Sequence, residues 1–221
     1  MLSVALETSQ RAASVAIAID GAIEECLLSD DRAHASDCLS QLDQLLQAAG
    51  RDPAEIDAVF VGTGPGSYTG LRIGIATALG LARGARASLR GESSGEVIVH
   101  RELAVGSEGV HLLDARQNEL YFAHYRRGSE DVEVLCPPCV LRPTELEQRL
   151  PSGVPIFGDA SALELAGLGE SSASQLRGAC PPRAGALLEL GSRRLETLGA
   201  HEFDAVEPLY LRPFQAKLRR R

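Results

Sequence analysis

Gly62-Thr63-Gly64-Pro65-Gly66-Ser67-Tyr68-Thr69-Gly70-Leu71-Arg72-Ile73-Gly74 is the stretch whose reading decides the fold. It follows the apolar run Ala58-Val59-Phe60-Val61 and opens the long apolar segment from Leu71 to Arg83. Glycine tolerates positive φ and lets another backbone come close, so the pattern predicts a strand, a tight glycine turn and a helix start. Free N–H groups at such a turn aim at one point, which makes it a candidate anion site. Neither standard phosphate loop fits. A Walker loop needs lysine directly after its last glycine, where this chain has Leu71; a dinucleotide fingerprint needs glycine at its sixth position, where Ser67 stands. Spacing alone favours a turn that packs the following helix tightly onto a sheet.

The helix after the turn is unusual in its own right. At helical spacing Gly70, Gly74, Ala78 and Ala82 recur every fourth position, and Ala76, Gly80 and Gly84 make a second row of small residues. Ile73, Ile75, Leu79 and Leu81 fill most of the remainder, and only Arg72, Thr77 and Arg83 are markedly polar. A helix apolar nearly all round has to be covered nearly all round. Glycine inside a helix costs roughly 1 kcal/mol against alanine, so several in one helix point to close packing, with a second helix set ridge into groove. That second helix is either internal, as for a central core helix, or on another protein chain.

At 221 residues the chain can hold one large or two small domains. Its 44% hydrophobic and 24% charged residues are ordinary for a globular protein. A net charge of -8 disfavours a stand-alone nucleic-acid binder, and 4% aromatics with no tryptophan leave little for base stacking. Any service to RNA would run through a partner. The start, Met1 to Leu6, has no basic region and runs into Glu7-Thr8-Ser9, which fits neither a signal peptide nor a membrane span, so a cytoplasmic protein is expected. An odd number of cysteines, five, fits a reducing compartment better than a disulfide framework.

Along the chain, residues 2–6, 14–19 and 23–28 read as strands, 35–49 as an amphipathic helix, and 58–62 as a strand leading into the glycine turn and the helix 71–84. The same order then returns: strands at 110–113, 119–125 and 132–135, a helix at 143–150, a strand at 155–159 and a helix at 184–198. Two passes of one plan predict an α/β fold of duplicated domains, each a mixed sheet flanked by helices, with residues 1–105 and 106–221 as the two units.

Four stretches carry a resemblance. Leu6-Glu7-Thr8-Ser9 with Ser14-Val15-Ala16, Gly64 to Gly74, Asp114-Ala115-Arg116 before Glu119-Leu120-Tyr121, and Glu207-Pro208-Leu209-Tyr210-Leu211-Arg212 occur in order across nearly the whole chain. Together they resemble the bacterial TsaB (YeaZ) family. The resemblance implies duplicated actin-like ATPase (ribonuclease H-like) domains. It also implies a role in making threonylcarbamoyladenosine beside the anticodon of tRNAs that read codons beginning with A. In that family the chemistry belongs to the metal-binding paralogue TsaD; TsaB is its non-catalytic partner and works with the ATPase TsaE. Its N-terminal domains pair through two helices, with themselves or with TsaD, and those helices correspond here to about 35–49 and 71–84. The partner-binding positions so implied are Leu39, Leu42, Leu46, Gly70, Ile73, Gly74, Thr77, Ala78 and Leu81, some of which must face the chain's own sheet. A homodimer is implied for the chain alone, tRNA is met only through the complex, and no catalytic residue, cofactor site or metal ligand is assigned.

One departure bears on chemistry. Glu7 stands where the family has aspartate, at the place where actin-like ATPases hold a carboxylate near the nucleotide's metal, and such sites tolerate little displacement. The rival reading, a small-molecule kinase or nucleotide-hydrolysing enzyme on the same fold, would need a catalytic carboxylate, for which Glu7 and Asp114 are the only candidates in register. Other constellations read as structural. His34 and Cys38 are two potential ligands without a third. Cys136-Pro137-Pro138-Cys139 lacks the following helix of a redox dithiol and reads as a connecting loop. Asp114 and Arg116 read as a hairpin salt bridge. The basic segment 217–221 reads as a solvated tail.

Overall fold

Large and small apolar residues alternate along the first strands, and that alternation decides which helices lie on which face. The computed structural model describes residues 1–28, 35–168 and 175–211. Strands β1 (Leu2–Glu7), β2 (Ser14–Ile19), β3 (Ala22–Leu27), β4 (Ala58–Gly62) and β5 (Ser88–Glu92) form one sheet in the order β3-β2-β1-β4-β5. β1, β2 and β3 run antiparallel, whereas β4 lies parallel to β1 and β5 parallel to β4. Leu2, Val4, Leu6, Val15, Ile17, Val59 and Val61 face helices α1 (Ala35–Ala48) and α2 (Tyr68–Ala85). On the other face Ala5, Ala16 and Ala58 leave room for a helix to lie close.

The second sheet repeats the first. Strands β6 (Glu108–Arg116), β7 (Glu119–Arg127), β8 (Val132–Leu141) and β9 (Ile156–Gly158) follow the order β8-β7-β6-β9, with an antiparallel meander and β9 parallel to β6. A single parallel bridge from Ile156 to Leu176 stands where the first sheet has β5. Short helices α4 (Pro143–Arg149) and α5 (Ala160–Ala166) cover one face, and α3 (Ser94–Glu102) packs on the other. This is the duplicated plan of mixed sheets flanked by helices that the sequence order predicts.

The last long helix, α6 (Ala184–Leu198), leaves the second sheet and lies on the alanine face of the first. Gly191 makes this possible, because a Cβ there would overlap the Phe60 ring. Arg194 then fastens α6 to both halves through Glu92 of β5, Glu96 of α3 and Asp131 at the turn between β7 and β8. Burial pushes the Glu96 carboxyl up, and the Arg194 guanidinium opposes that shift.

Three elements escape the sequence reading: β5, α3 and α5. One assignment is corrected. Cys136 to Cys139 lies within β8 and not in a loop, and its two prolines are tolerated because β8 is an edge strand. Asp114 and Arg116 do form the hairpin ion pair, with Arg116 Nη1 donating to Asp114 Oδ2 at 3.0 Å. His34, Arg212 and the basic segment 217–221 lie outside the described residues.

His111 on β6 is enclosed against α3, where a Cβ on Gly95 would stand 2.9 Å from its Nδ1. Burial pushes its imidazole down to about 4. The folded chain therefore holds His111 neutral, while the unfolded chain takes up a proton below the ordinary histidine value of about 6.5. Stability from this group is complete above that value and is lost as pH falls through the folded one, by up to about 3 kcal/mol. Relative to wild type, His111→Leu is expected to flatten the dependence of unfolding free energy between pH 7 and pH 4, on the order of 2–3 kcal/mol in denaturant titrations. Parallel pH curves for the two proteins would contradict this assignment.

Candidate partner interface

The glycine turn is built to admit the β1–β2 turn, and this places α2. Thr8 Oγ1 donates to the Gly70 carbonyl at 2.8 Å, and the Ser67 N–H donates to the Ser9 carbonyl at 2.7 Å. A Cβ on Gly66 would overlap the Ser9 carbonyl, one on Gly70 the Thr8 carbonyl, and one on Gly74 the Thr8 hydroxyl. The Ser67 side chain caps α2 by accepting from the Gly70 N–H. Three donors of the turn are bonded within the chain: Ser67 N–H to the Ser9 carbonyl, Gly64 N–H to Ser94 Oγ and Gly70 N–H to Ser67 Oγ.

Glu7 is also spent. Its carboxylate is fully buried, accepting from the Ser9 N–H at 2.8 Å on one oxygen and from Ser94 Oγ at 2.9 Å on the other. A Cβ on Gly62 would overlap it, so the glutamate fills the space that the glycine leaves. Burial pushes its carboxyl above the ordinary range, and the Ser9 and Ser94 hydrogen bonds oppose that shift. Held this way, the Glu7 carboxyl fills the space beside Gly62 with one protein donor on each oxygen.

The two small-residue rows of α2 have opposite fates. Gly74, Ala78 and Ala82 are buried against the sheet, and Gly70 is half-buried under Thr8. Ala76, Gly80 and Gly84 face outward, and a Cβ on Gly80 or Gly84 would meet nothing within 4 Å. This outward row borders an apolar groove of about 660 Å³ between α1, α2 and the turn at Pro53, with Leu39, Thr77, Leu81 and Ala54 in its walls.

The positions implied by resemblance are thereby sorted. Leu39, which is 45% exposed, and Thr77 and Leu81 line the groove. Ile73 is half-buried and packs on the core beneath. Leu42, Leu46, Gly74 and Ala78 are the ones that face the chain's own core: all four are buried, the leucines under α1 and the small pair against β1 and Thr8. The outward row was missing from that set. Its signal was present, because Arg72, Ala76, Gly80 and Arg83 share one stripe at helical spacing, and two arginines mark a stripe as solvent-facing.

Three of the four resembling stretches meet at this end of the first sheet. The Leu209 N–H donates to the Thr63 carbonyl at 2.8 Å, laying the Glu207–Tyr210 strap across the glycine turn. Arg72 Nε donates to Tyr210 Oη at 2.8 Å, and its guanidinium lies 4.2 Å above the Tyr68 ring. Asp114 and Arg116 stand apart, in a separate pocket with Ser161 and Glu164. Among the described residues no three His, Cys, Asp or Glu side chains come together as a set able to hold a metal ion.

The family model described as TsaD, tRNA N6-adenosine threonylcarbamoyltransferase, matches residues 23–166. The chain belongs to this family. Its TsaB (YeaZ) relatives include the tRNA threonylcarbamoyladenosine biosynthesis protein TsaB of Escherichia coli (strain K12), which is 34% identical over 151 residues, 63% of this chain and 64% of that protein. The protein of the same name from Haemophilus influenzae is 35% identical over 125 residues, 56% of this chain and 53% of its own length. The chain is thus matched to somewhat over half of the length of these TsaB relatives. A solved Pseudomonas aeruginosa structure, described as similar to peptidase YEAZ, superposes with a TM-score of 0.82 at 26% identity, covering 96% of this chain and 99% of that one.

The opposite fates of the two TsaB-type helix rows give substitutions of opposite sign. Gly80→Ala fills open space within a helix and is expected to stabilise the isolated chain by roughly 0.5–1 kcal/mol. Gly74→Ala drives a methyl into Thr8 and is expected to destabilise it by about 1–3 kcal/mol. Chemical denaturation of both variants beside wild type checks the pair, and shifts of the same sign would contradict the placement of α2.

Proposed function

We propose that this chain is a non-catalytic subunit in tRNA threonylcarbamoyladenosine biosynthesis that docks a TsaD-family paralogue through the outward row of α2 and the Leu39 side of α1. The observation that carries this reading is the empty space over Gly80 and Gly84, beside an apolar groove, on a helix whose other small-residue row is already filled. A helix backbone can approach such a surface as closely as the outward row allows, and leucine from α1 supplies an apolar contact at its rim. The names of the relatives and the family model's description support the pathway.

The reading as a subunit without chemistry of its own draws on Glu7, which is enclosed by Ser9 and Ser94 with no open side for a nucleotide's metal. In this account residues 1–105 carry the partner face, residues 106–221 form the second actin-like domain, and α6 returns to brace the first. The same outward row pairs two copies of the chain when no paralogue is present, TsaE joins the paralogue complex, and tRNAs reading codons that begin with A are met only in that assembly, in the cytoplasm.

Gly80→Leu tests the face directly, because a Cβ there meets nothing within 4 Å of its own chain and the added side chain projects from the outward row. The variant is expected to keep the wild-type circular dichroism and melting profile while binding the TsaD paralogue of the same organism at least about tenfold more weakly, a loss of some 1.4 kcal/mol. Undiminished binding by size-exclusion and calorimetric titration would overturn the proposed docking face.

A further inference from the structure

Cys136-Pro137-Pro138-Cys139 has no place in the docking account, yet its geometry is specific. Cysteines three apart on a regular strand face opposite sides of a sheet. β8 is not regular there: Cys139 stands opposite Phe122 and Cys136 opposite His124, so two prolines on β8 answer the single Ala123 on β7. This is a bulge of one extra residue, and it returns both cysteines to the Phe122 face of the sheet. Both pack against the same core cluster, which includes Phe122 and Leu146. Both are free thiols, each half-buried, and the register sets them side by side on that face, opposite Phe122 and His124. β8 is an edge strand and Pro137 is exposed, so a small reagent has open access.

We propose that Cys136 and Cys139 are a reversible dithiol site that closes to an intrastrand disulfide by exchange with a low-molecular-weight disulfide. Cys136 gives its proton to water, and its thiolate attacks one sulfur of the reagent, forming a mixed disulfide and expelling one thiolate. Cys139 then loses its proton and attacks the Cys136 sulfur, expelling the second. The two released thiolates take up two protons, so two protein thiols are oxidised and one small disulfide is reduced to two thiols. Burial pushes the Cys139 thiol up, which casts it as the resolving partner that acts once Cys136 has been captured beside it. The product staples this bulge of the edge strand and holds both prolines in place.

Oxidised glutathione is the probe, applied to the reduced full-length chain, followed by acid quench, alkylation of remaining thiols and peptide mapping by mass spectrometry. The peptide holding Cys136 and Cys139 is expected to lose two hydrogens, carry no glutathione and revert with dithiothreitol. Cys26, beside Gln41, and Cys180, beside the Arg177 carbonyl, serve as half-buried references in the same sample. Cys139→Ser is expected to leave Cys136 carrying glutathione, and amide hydrogen exchange across 132–141 is expected to slow in the oxidised wild type. Glutathione on both Cys136 and Cys139 of wild type, or both remaining alkylatable while Cys26 and Cys180 react, would overturn the proposal.

Discussion

Thr8 meets α2 at Gly70 and Gly74 with no side chain between them, and the rest of the structure depends on that contact. It sets the helix close over the end of β1 and fixes which way the helix is rotated. Rotation is the consequential part. Once Gly74, Ala78 and Ala82 are turned inward, Ala76, Gly80 and Gly84 have to point outward, because rows every fourth residue on one helix cannot share a face. The small-residue surface available to a partner is therefore a by-product of how the helix is held to its own sheet.

The same contact bears on chemistry. At the same end of the sheet the glycine turn closes on Thr8 and Ser9, and Glu7 reaches Ser94. The two halves of the fold are joined differently. Arg194 gathers carboxylates from β5, α3 and the β7–β8 turn, so removing it would leave Glu96 without its cation and Glu92 with Arg90 alone. A chain that invests in internal ion pairing at the junction of its sheets is suited to present a fixed surface.

Much of the fold was legible because the apolar periods were clean. The strands 14–19 and 58–62 and the helix 184–198 stand where alternation and helical spacing put them. β5 escaped because Ser88-Leu89-Arg90-Gly91-Glu92 looks polar, and its Arg90 and Glu92 are buried only because they pair with each other and with Arg194. α3 and α5 are short, and Gly95 within α3 is a residue that argues against a helix until His111 and Tyr125 are seen to need the space. The bulge in β8 was hidden by two prolines that read as a loop. For the proposed interface, the sequence pointed to α2 and to its small residues. It did not choose between two equivalent rows, since that choice is made by Thr8, eight residues into the chain and far from α2 in sequence.

The most direct measurement of the central claim is the alkylation rate of a thiol placed on the outward row, Ala76→Cys, followed by residue-resolved mass spectrometry with and without the TsaD-family paralogue. Ala76 is exposed in the described chain. The account predicts fast labelling at low concentration of the chain alone and labelling slowed by at least about tenfold when the paralogue is saturating, with a control thiol on the second sheet unaffected. Equal rates at position 76 with and without the paralogue, under conditions where the complex is shown to form, would contradict it.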